Sequence, residues 1–146
     1  MTTKPNVVVR VVRRYDAPSD RVFDAWLDPS TARRFLFGIP TGEIVRAEIE
    51  PRVGGTFHIV DRRDGIDIDH AGTYLEIDRP RHLRFEYSAG GADTSRVSAD
   101  IAPSGAGSEL TLAHELHPDW ADFGLRAEEA WKKMLERLAV ALGEGA

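Results

Sequence analysis

The chain has 146 residues, 42% hydrophobic and 29% charged, with a formal net charge of -5 and no cysteine. This is the composition of one globular domain able to bury a core, not of a disordered segment. The lack of cysteine excludes disulfides, thiolate nucleophiles and Cys-based zinc or iron–sulfur sites, and it suits a reducing cytoplasm.

Acidic residues number 24 against 19 basic ones. That excess argues against a nucleic-acid partner, whose binding draws on a basic face. The basic clusters at Arg10, Arg13 and Arg14, and at Arg33, Arg34, Arg62 and Arg63, have Asp16, Asp20, Asp61 and Asp64 nearby, which reads as a solvated mixed surface. No apolar stretch is long enough to span a bilayer, and the N-terminus lacks the pattern of a signal peptide. The expectation is a cytoplasmic protein.

Val7 to Val12 is β-branched apart from Arg10 and reads as an opening strand that runs to about Tyr15. Ala17-Pro18-Ser19-Asp20 stops it, and Val22, Phe23, Trp26 and Leu27 form one face of a short helix that Asp28-Pro29 ends. A second helical turn covers Thr31 to Phe35, closed by Gly38 and Pro40. From Glu43 to His117 the pattern has period two. Val45, Ala47 and Ile49 alternate, and Gly54-Gly55 marks a bend or bulge where the sheet curls. Strands follow over Thr56–Asp61 and, after the Asp64-Gly65 hairpin signal, over Ile66–Ile77. Leu83, Phe85 and Tyr87 alternate next, then, past Gly90-Gly91, Val97, Ala99 and Ile101, and, past Gly105-Ala106-Gly107, Leu110, Leu112, His114 and Leu116. In the third of these strands Tyr74 is out of phase with Leu75 and Ile77, which predicts an outward ring.

His117-Pro118-Asp119 offers a stop and a cap for a last helix. Its apolar stripe is Phe123, Ala127, Ala130, Trp131, Met134, Leu135, Leu138 and Leu142, while Glu129, Lys132, Lys133, Glu136 and Arg137 form the opposite face. Gly124 is a place for a kink. The order β–α–α, six strands and one long helix predicts a single α+β domain over residues 1–146. Its curved antiparallel sheet has one buried face, and the terminal helix covers that face.

Few residues carry recognisable chemistry. In His114-Glu115-Leu116-His117 the histidines are three apart on a strand and point to opposite faces, so they do not share a metal. No metal and no cofactor is expected. His114 is in phase with Leu112 and Leu116, which reads either as an interior polar group that orients a ligand or as a satisfied histidine near the sheet edge. Ser104 and Ser108 lack the nucleophile-elbow pattern, and Gly105-Ala106-Gly107 is a turn between strands, not a dinucleotide fingerprint. Asp61, Asp64, Asp67 and Asp69 read as a solvated hairpin.

Tyr15-Asp16-Ala17-Pro18, Val22-Phe23-Asp24-Ala25-Trp26 and Asp28-Pro29 resemble the opening of the START-like, or SRPBCC, superfamily. Pro51-Arg52-Val53-Gly54-Gly55, Gly72-Thr73-Tyr74-Leu75-Glu76-Ile77, Arg81-His82-Leu83-Arg84-Phe85 and Ala130-Trp131 with Leu135 and Leu138 are similar to its branch named for the activator of the heat-shock-protein-90 ATPase. The resemblance runs from about residue 7 to 142. It implies a helix-grip fold of six or seven strands around the last helix, enclosing a hydrophobic cavity. It also implies a chaperone partner or stress-related role by association alone, since the chain lacks the extra N-terminal domain of the eukaryotic activators. The superfamily fold does not choose among carriers, cyclases and chaperone partners.

The first functional expectation is therefore a monomer or homodimer that binds a small hydrophobic or aromatic molecule between helix and sheet. Its expected walls are Trp26, Phe35, Phe37, Phe57, Ile59, Phe85, Tyr87, Val97, Ala99, Leu112, His114, Phe123, Trp131 and Leu135. The alternatives are a cavity enzyme of polyketide-cyclase or hydrolase type, with His114 or Glu48 as acid–base, and a protein-interaction module acting through its outer sheet face.

Overall fold

Seven antiparallel strands form one sheet in the order β1-β7-β6-β5-β4-β3-β2. The computed structural model describes residues 7–37, 42–90, 94–116, 122 and 124–143. Gly38, Pro40, Gly91, His117-Pro118-Asp119 and Phe123 lie outside the described residues. Strand β1 (Val7–Tyr15) turns Val9, Val11 and Tyr15 inward and pairs with β7 (Gly107–Leu116) at one edge. The chain then crosses the concave face through α1 (Ser19–Leu27) and α2 (Pro29–Phe35) to reach β2 (Glu43–Ile49) at the far edge. From there β3 (Thr56–Arg63), β4 (Ile66–Asp78), β5 (His82–Ala89), β6 (Ser95–Ser104) and β7 meander back. Helix α3 (Gly124–Ala141) packs against β1 and α2. No helix among the described residues is long and apolar enough to cross a membrane.

Local chemistry accounts for the helix ends. Asp28 accepts from the backbone N–H of Ser30 at 3.2 Å and places Pro29 in the first turn of α2, where the missing N–H costs nothing. The last carbonyls of α3 have no intrahelical donor. Arg21 donates to Leu142 O at 3.0 Å and Arg34 to Ala141 O at 3.4 Å, so cations from α1 and α2 close the helix's negative end. Tyr15 Oη donates to Leu135 O at 2.8 Å, in the middle of the same helix. Gly124 falls in the first turn of α3, and the helix runs on from it without a break.

The inward phase is continuous across the sheet. Phe57, Ile59 and Asp61 on β3 face His70 and Ile68 on β4, and Tyr87, Phe85 and Leu83 on β5 continue through Ser95, Val97 and Ala99 to His114 and Leu112. Two sequence-based assignments are corrected, one made from alternation and one from charge. Tyr74 is 3% exposed and lies inside, because β4 carries a register shift between Tyr74 and Glu76. The extra residue, Leu75, lets Tyr74 and Ile77 share the inner face although they are three apart. Asp61 belongs to no solvated acidic run: it is 0% exposed and ion-paired with Arg63.

The Gly54-Gly55 bend has a defined partner. Gly54 N–H donates to Tyr74 O and Tyr74 N–H to Gly55 O, both at 2.9 Å. Gly54 has φ +82°, a region that favours glycine. Gly72 is needed for a different reason. The Phe57 ring lies against it, so a Cβ there would meet Phe57 Cε1 at 2.6 Å and press on the Glu86 carbonyl. Gly72→Ala should therefore lower stability by about 1–3 kcal/mol through overpacking. An unchanged urea midpoint would show that the Phe57 ring moves aside freely.

Candidate functional site

The concave face divides into a filled part and an open one. Trp26 packs edge-on to Phe35, with centroids 5.3 Å apart, and stacks with Trp131 at 6.2 Å. Ile59, Leu83, Val97, Ala99, Leu110, Leu112 and Leu135 fill in around them. Beside this core a pocket of ≈ 540 Å³ remains between α3 and strands β3 to β5 and β7. Phe37, Ile68, Tyr87, Ala89, Ala127, Ala130, Trp131 and Met134 are its apolar and aromatic walls, and Arg63, His70, His114, Arg126, Glu129, Lys133 and Arg137 supply its polar groups. It opens along α3, where Arg126, Glu129, Ala130 and Lys133 are exposed.

Of the expected wall residues, Phe37, Tyr87, His114 and Trp131 line this pocket. Trp26, Phe35, Phe57, Ile59, Phe85, Val97, Ala99, Leu112 and Leu135 sit in the adjoining packed core, and Phe123 lies outside the described residues. Glu48 is exposed and paired with Arg46 at 2.6 Å, away from the pocket. The sequence-based expectation missed the apolar lining residues Ile68, Ala89, Ala127, Ala130 and Met134 and, apart from His114, the polar ones. Asp61 and Arg63 continue the Phe57–Ile59 phase and His70 continues that of Ile68, so alternation held the signal. Arg126, Ala130, Lys133 and Arg137 fall at i, i+4, i+7 and i+11, one helical line bordering the stripe. Glu129, Lys133 and Arg137, expected on the solvated face, border the pocket instead.

Two hydrogen-bonded units fix the interior. The indole N–H of Trp131 donates to His114 Nδ1 at 3.0 Å, so that nitrogen carries no proton. The proton is on Nε2, which donates to Ser95 Oγ at 2.7 Å, and Ser95 reaches the Tyr87 carbonyl at 3.5 Å. Burial lowers the His114 pKa from 6.5 to about 4, in keeping with a neutral ring used at both nitrogens.

The second unit is a platform. His70 Nδ1 and Tyr87 Oη are 2.8 Å apart, and the two rings are within 6° of coplanar. Phe37 lies flat over both, with centroids 4.8 Å from His70 and 4.7 Å from Tyr87. Phe37 has φ +59°, which costs a side-chain-bearing residue roughly 1–2 kcal/mol. Stacking and the N–H donated to Met134 Sδ at 3.2 Å offset that cost. His70 Nε2 has no partner and stands 3.9 Å from Asp61 Oδ2, beyond hydrogen-bond range, and Asp61 Oδ1 is likewise unpartnered. Burial takes His70 down to about 4, against the opposing pull of Asp61, and pushes the Tyr87 hydroxyl up. Arg137 is also lowered by burial, with Asp61 opposing.

The outer sheet face is built differently. His82 bonds both Asp100 and Glu76 at 2.6 Å, and Arg84 reaches Glu115 at 3.4 Å, giving a ladder of paired charges. Among the described residues no group of three or more His, Cys, Asp or Glu is placed to hold a metal ion.

Residues 16–143 match the model of the family described as activator of Hsp90 ATPase homolog 1-like protein. The chain belongs to that family. No curated protein matches it. Its fold matches protein CV1439 from Chromobacterium violaceum with a TM-score of 0.83 and 26% identity, covering 93% of this chain and 96% of that one. A Rhodobacter sphaeroides protein matches with a TM-score of 0.84 and 19% identity over 97% of each chain. CalU16 from Micromonospora echinospora matches with a TM-score of 0.70 and 23% identity, over 97% of this chain and 86% of that one. The START-like architecture is thus common to the family and these structures, while the polar lining is read from this chain's own residues.

Two substitutions test the interior. Trp131 is 2% exposed, and Trp131→Ala should cost about 3–5 kcal/mol, read as a shift in urea midpoint. A midpoint within error of the native one would place the indole outside the core. For His114 the folded pKa lies below the unfolded one, so between pH 6.5 and about 4 the unfolded chain binds the extra proton. The contribution is whole above that window and is lost as pH falls through it. His114→Gln should flatten the stability profile there by about 1.4 kcal/mol per pH unit; parallel profiles for the two proteins would contradict the assignment.

Proposed function

We propose that the pocket between α3 and the sheet binds a small apolar or aromatic molecule. The supporting observation is a recess of ≈ 540 Å³ walled by Phe37, Tyr87, Ala89, Ala130, Trp131 and Met134, with a few polar groups at defined places. Binding sites for small molecules typically have about 300–1,000 Å³ and this mixture of apolar wall and sparse polar contacts. The walls are held before any ligand arrives: the Trp131–His114–Ser95 chain and the Phe37–His70–Tyr87 stack fix the side chains a ligand would touch, which lowers the ordering cost of binding.

The histidines favour binding over acid–base chemistry. His114 has both nitrogens engaged within the protein, and His70 is buried and neutral near pH 7. A general base working near neutral pH has a pKa close to that value.

The test is titration with the neutral fluorescent probe N-phenyl-1-naphthylamine. Ala99→Trp would disrupt the packed core, since Ala99 is 0% exposed. Ala130→Trp instead grows a side chain from the exposed rim into the opening. The native protein should bind the probe, and Ala130→Trp should weaken it about tenfold or more, with a melting temperature within a few degrees. Failure of the native protein to enhance probe fluorescence, or equal binding by the variant, would refute the pocket reading.

A further inference from the structure

We infer that the pocket selects a ligand carrying a carboxylate on its apolar or aromatic body, with that group held between the α3 cations and His70. This rests on the binding reading above and specifies the ligand's charge and polar end. The chain as a whole carries a net charge of -5, yet among the described residues the pocket is lined by Arg126, Lys133, Arg137 and the Asp61-paired Arg63, with Glu129 as the one acidic lining residue. Three of those cations lie on one helical line of α3, beside the aromatic wall of Trp131. Cations gathered against the sign of the whole molecule, at the mouth of a low-dielectric recess, make a local field that favours an anion.

Hydrogen-bond capacity points to the same chemistry. The Asp61 carboxylate on the Nε2 side of His70 favours the tautomer with its proton on that nitrogen, which leaves Nδ1 to accept from the Tyr87 hydroxyl. The His70 side chain, 7% exposed, lines the pocket, and its buried Nε2–H has no partner. Of the other potential acceptors in the described lining, His114 Nδ1 already takes the indole N–H, Glu129 stands at the exposed rim, and Tyr87 Oη, which donates to His70, keeps its lone pairs. Asp61 is 0% exposed and behind Arg63, so its charge balances that guanidinium and is not offered to a ligand. The described lining therefore offers more donors than acceptors, and donors are satisfied by a group that only accepts. A carboxylate does this with charge assistance from arginine and lysine. A hydroxyl would bring a proton for which the lining has little use.

Matched ligands separate the two readings. 2-Naphthoate and 2-naphthalenemethanol share one aromatic body and differ in the carboxylate, and both can be titrated calorimetrically into the native chain. The expected result is about a tenfold or greater preference for naphthoate, shrinking as salt is raised. Arg126→Glu with Lys133→Glu changes only exposed positions of α3. It should bring the two affinities to within about twofold of each other by weakening naphthoate alone. Circular dichroism and the melting temperature verify that the variant is folded. Equal affinities in the native protein, or an undiminished naphthoate preference in the folded variant, would overturn the carboxylate assignment while the pocket reading stands. Binding of neither compound would remove the pocket reading, and this one with it.

Discussion

The indole of Trp131 is the contact through which the helix and the sheet are held in register. Its face stacks with Trp26 from α1, its edge meets Phe37, and its N–H is committed to His114 on β7. Three separate elements thus meet on one side chain of α3, and a rotation of the helix by even a fraction of a turn would break all three contacts. The hydrogen bond is directional in a way that apolar packing is not. Were His114 protonated, two N–H groups would face each other across 3.0 Å. The neutral ring is therefore a condition for the helix position as well as a result of burial.

The open half of the concave face depends on a different balance. Asp61 is fully buried, and an isolated carboxylate there would be costly. Arg63 pairs with it, reaches back to the Phe37 carbonyl at 3.5 Å, and so ties the end of α2 to β3. Arg137 donates to the Phe35 carbonyl at 3.3 Å from the other side. The segment after α2 is thereby held by two guanidiniums from different elements. Burying ionic groups seldom adds net stability over an apolar alternative. Their placement beside a recess, with the unpartnered atoms of His70 and Asp61 in the same region, is the arrangement that the proposed ligand site would use.

Much of this architecture was legible in the residues. Period-two alternation located the strands, and the Phe57, Phe85, Val97 and Leu112 phases all turned out to share the interior. Alternation misled where the ladder itself is irregular: the bulge at Leu75 turned Tyr74 inward, and no composition rule marks such a residue in advance. The charged lining of the pocket was hidden for another reason. A charged residue near a hairpin or on a helix is ordinarily solvated. Asp61 and Arg63 were in step with Phe57 and Ile59 throughout, but the chemistry of the side chains spoke against what their phase indicated. Which aromatics pack solidly and which border a gap depends on the sheet's curvature, and sequence periodicity carries no measure of that.

The strand order also sets when this fold can exist. β1 lies at the sheet edge against β7, with Val7 opposite Leu116, although nearly every other strand pairs with its immediate successor. On an emerging chain the meander β2 to β7 can zip up hairpin by hairpin, each closure spanning only a short loop. β1 must wait, since its partner β7 is the last strand made, and the concave face lacks its α3 cover until that helix follows. An apolar trough is therefore exposed to the surroundings from the pairing of these strands until α3 is made. A domain wired in this way is vulnerable to association during translation, more so than in its finished state, and its yield in a cell should depend on whatever shields that trough in the interval.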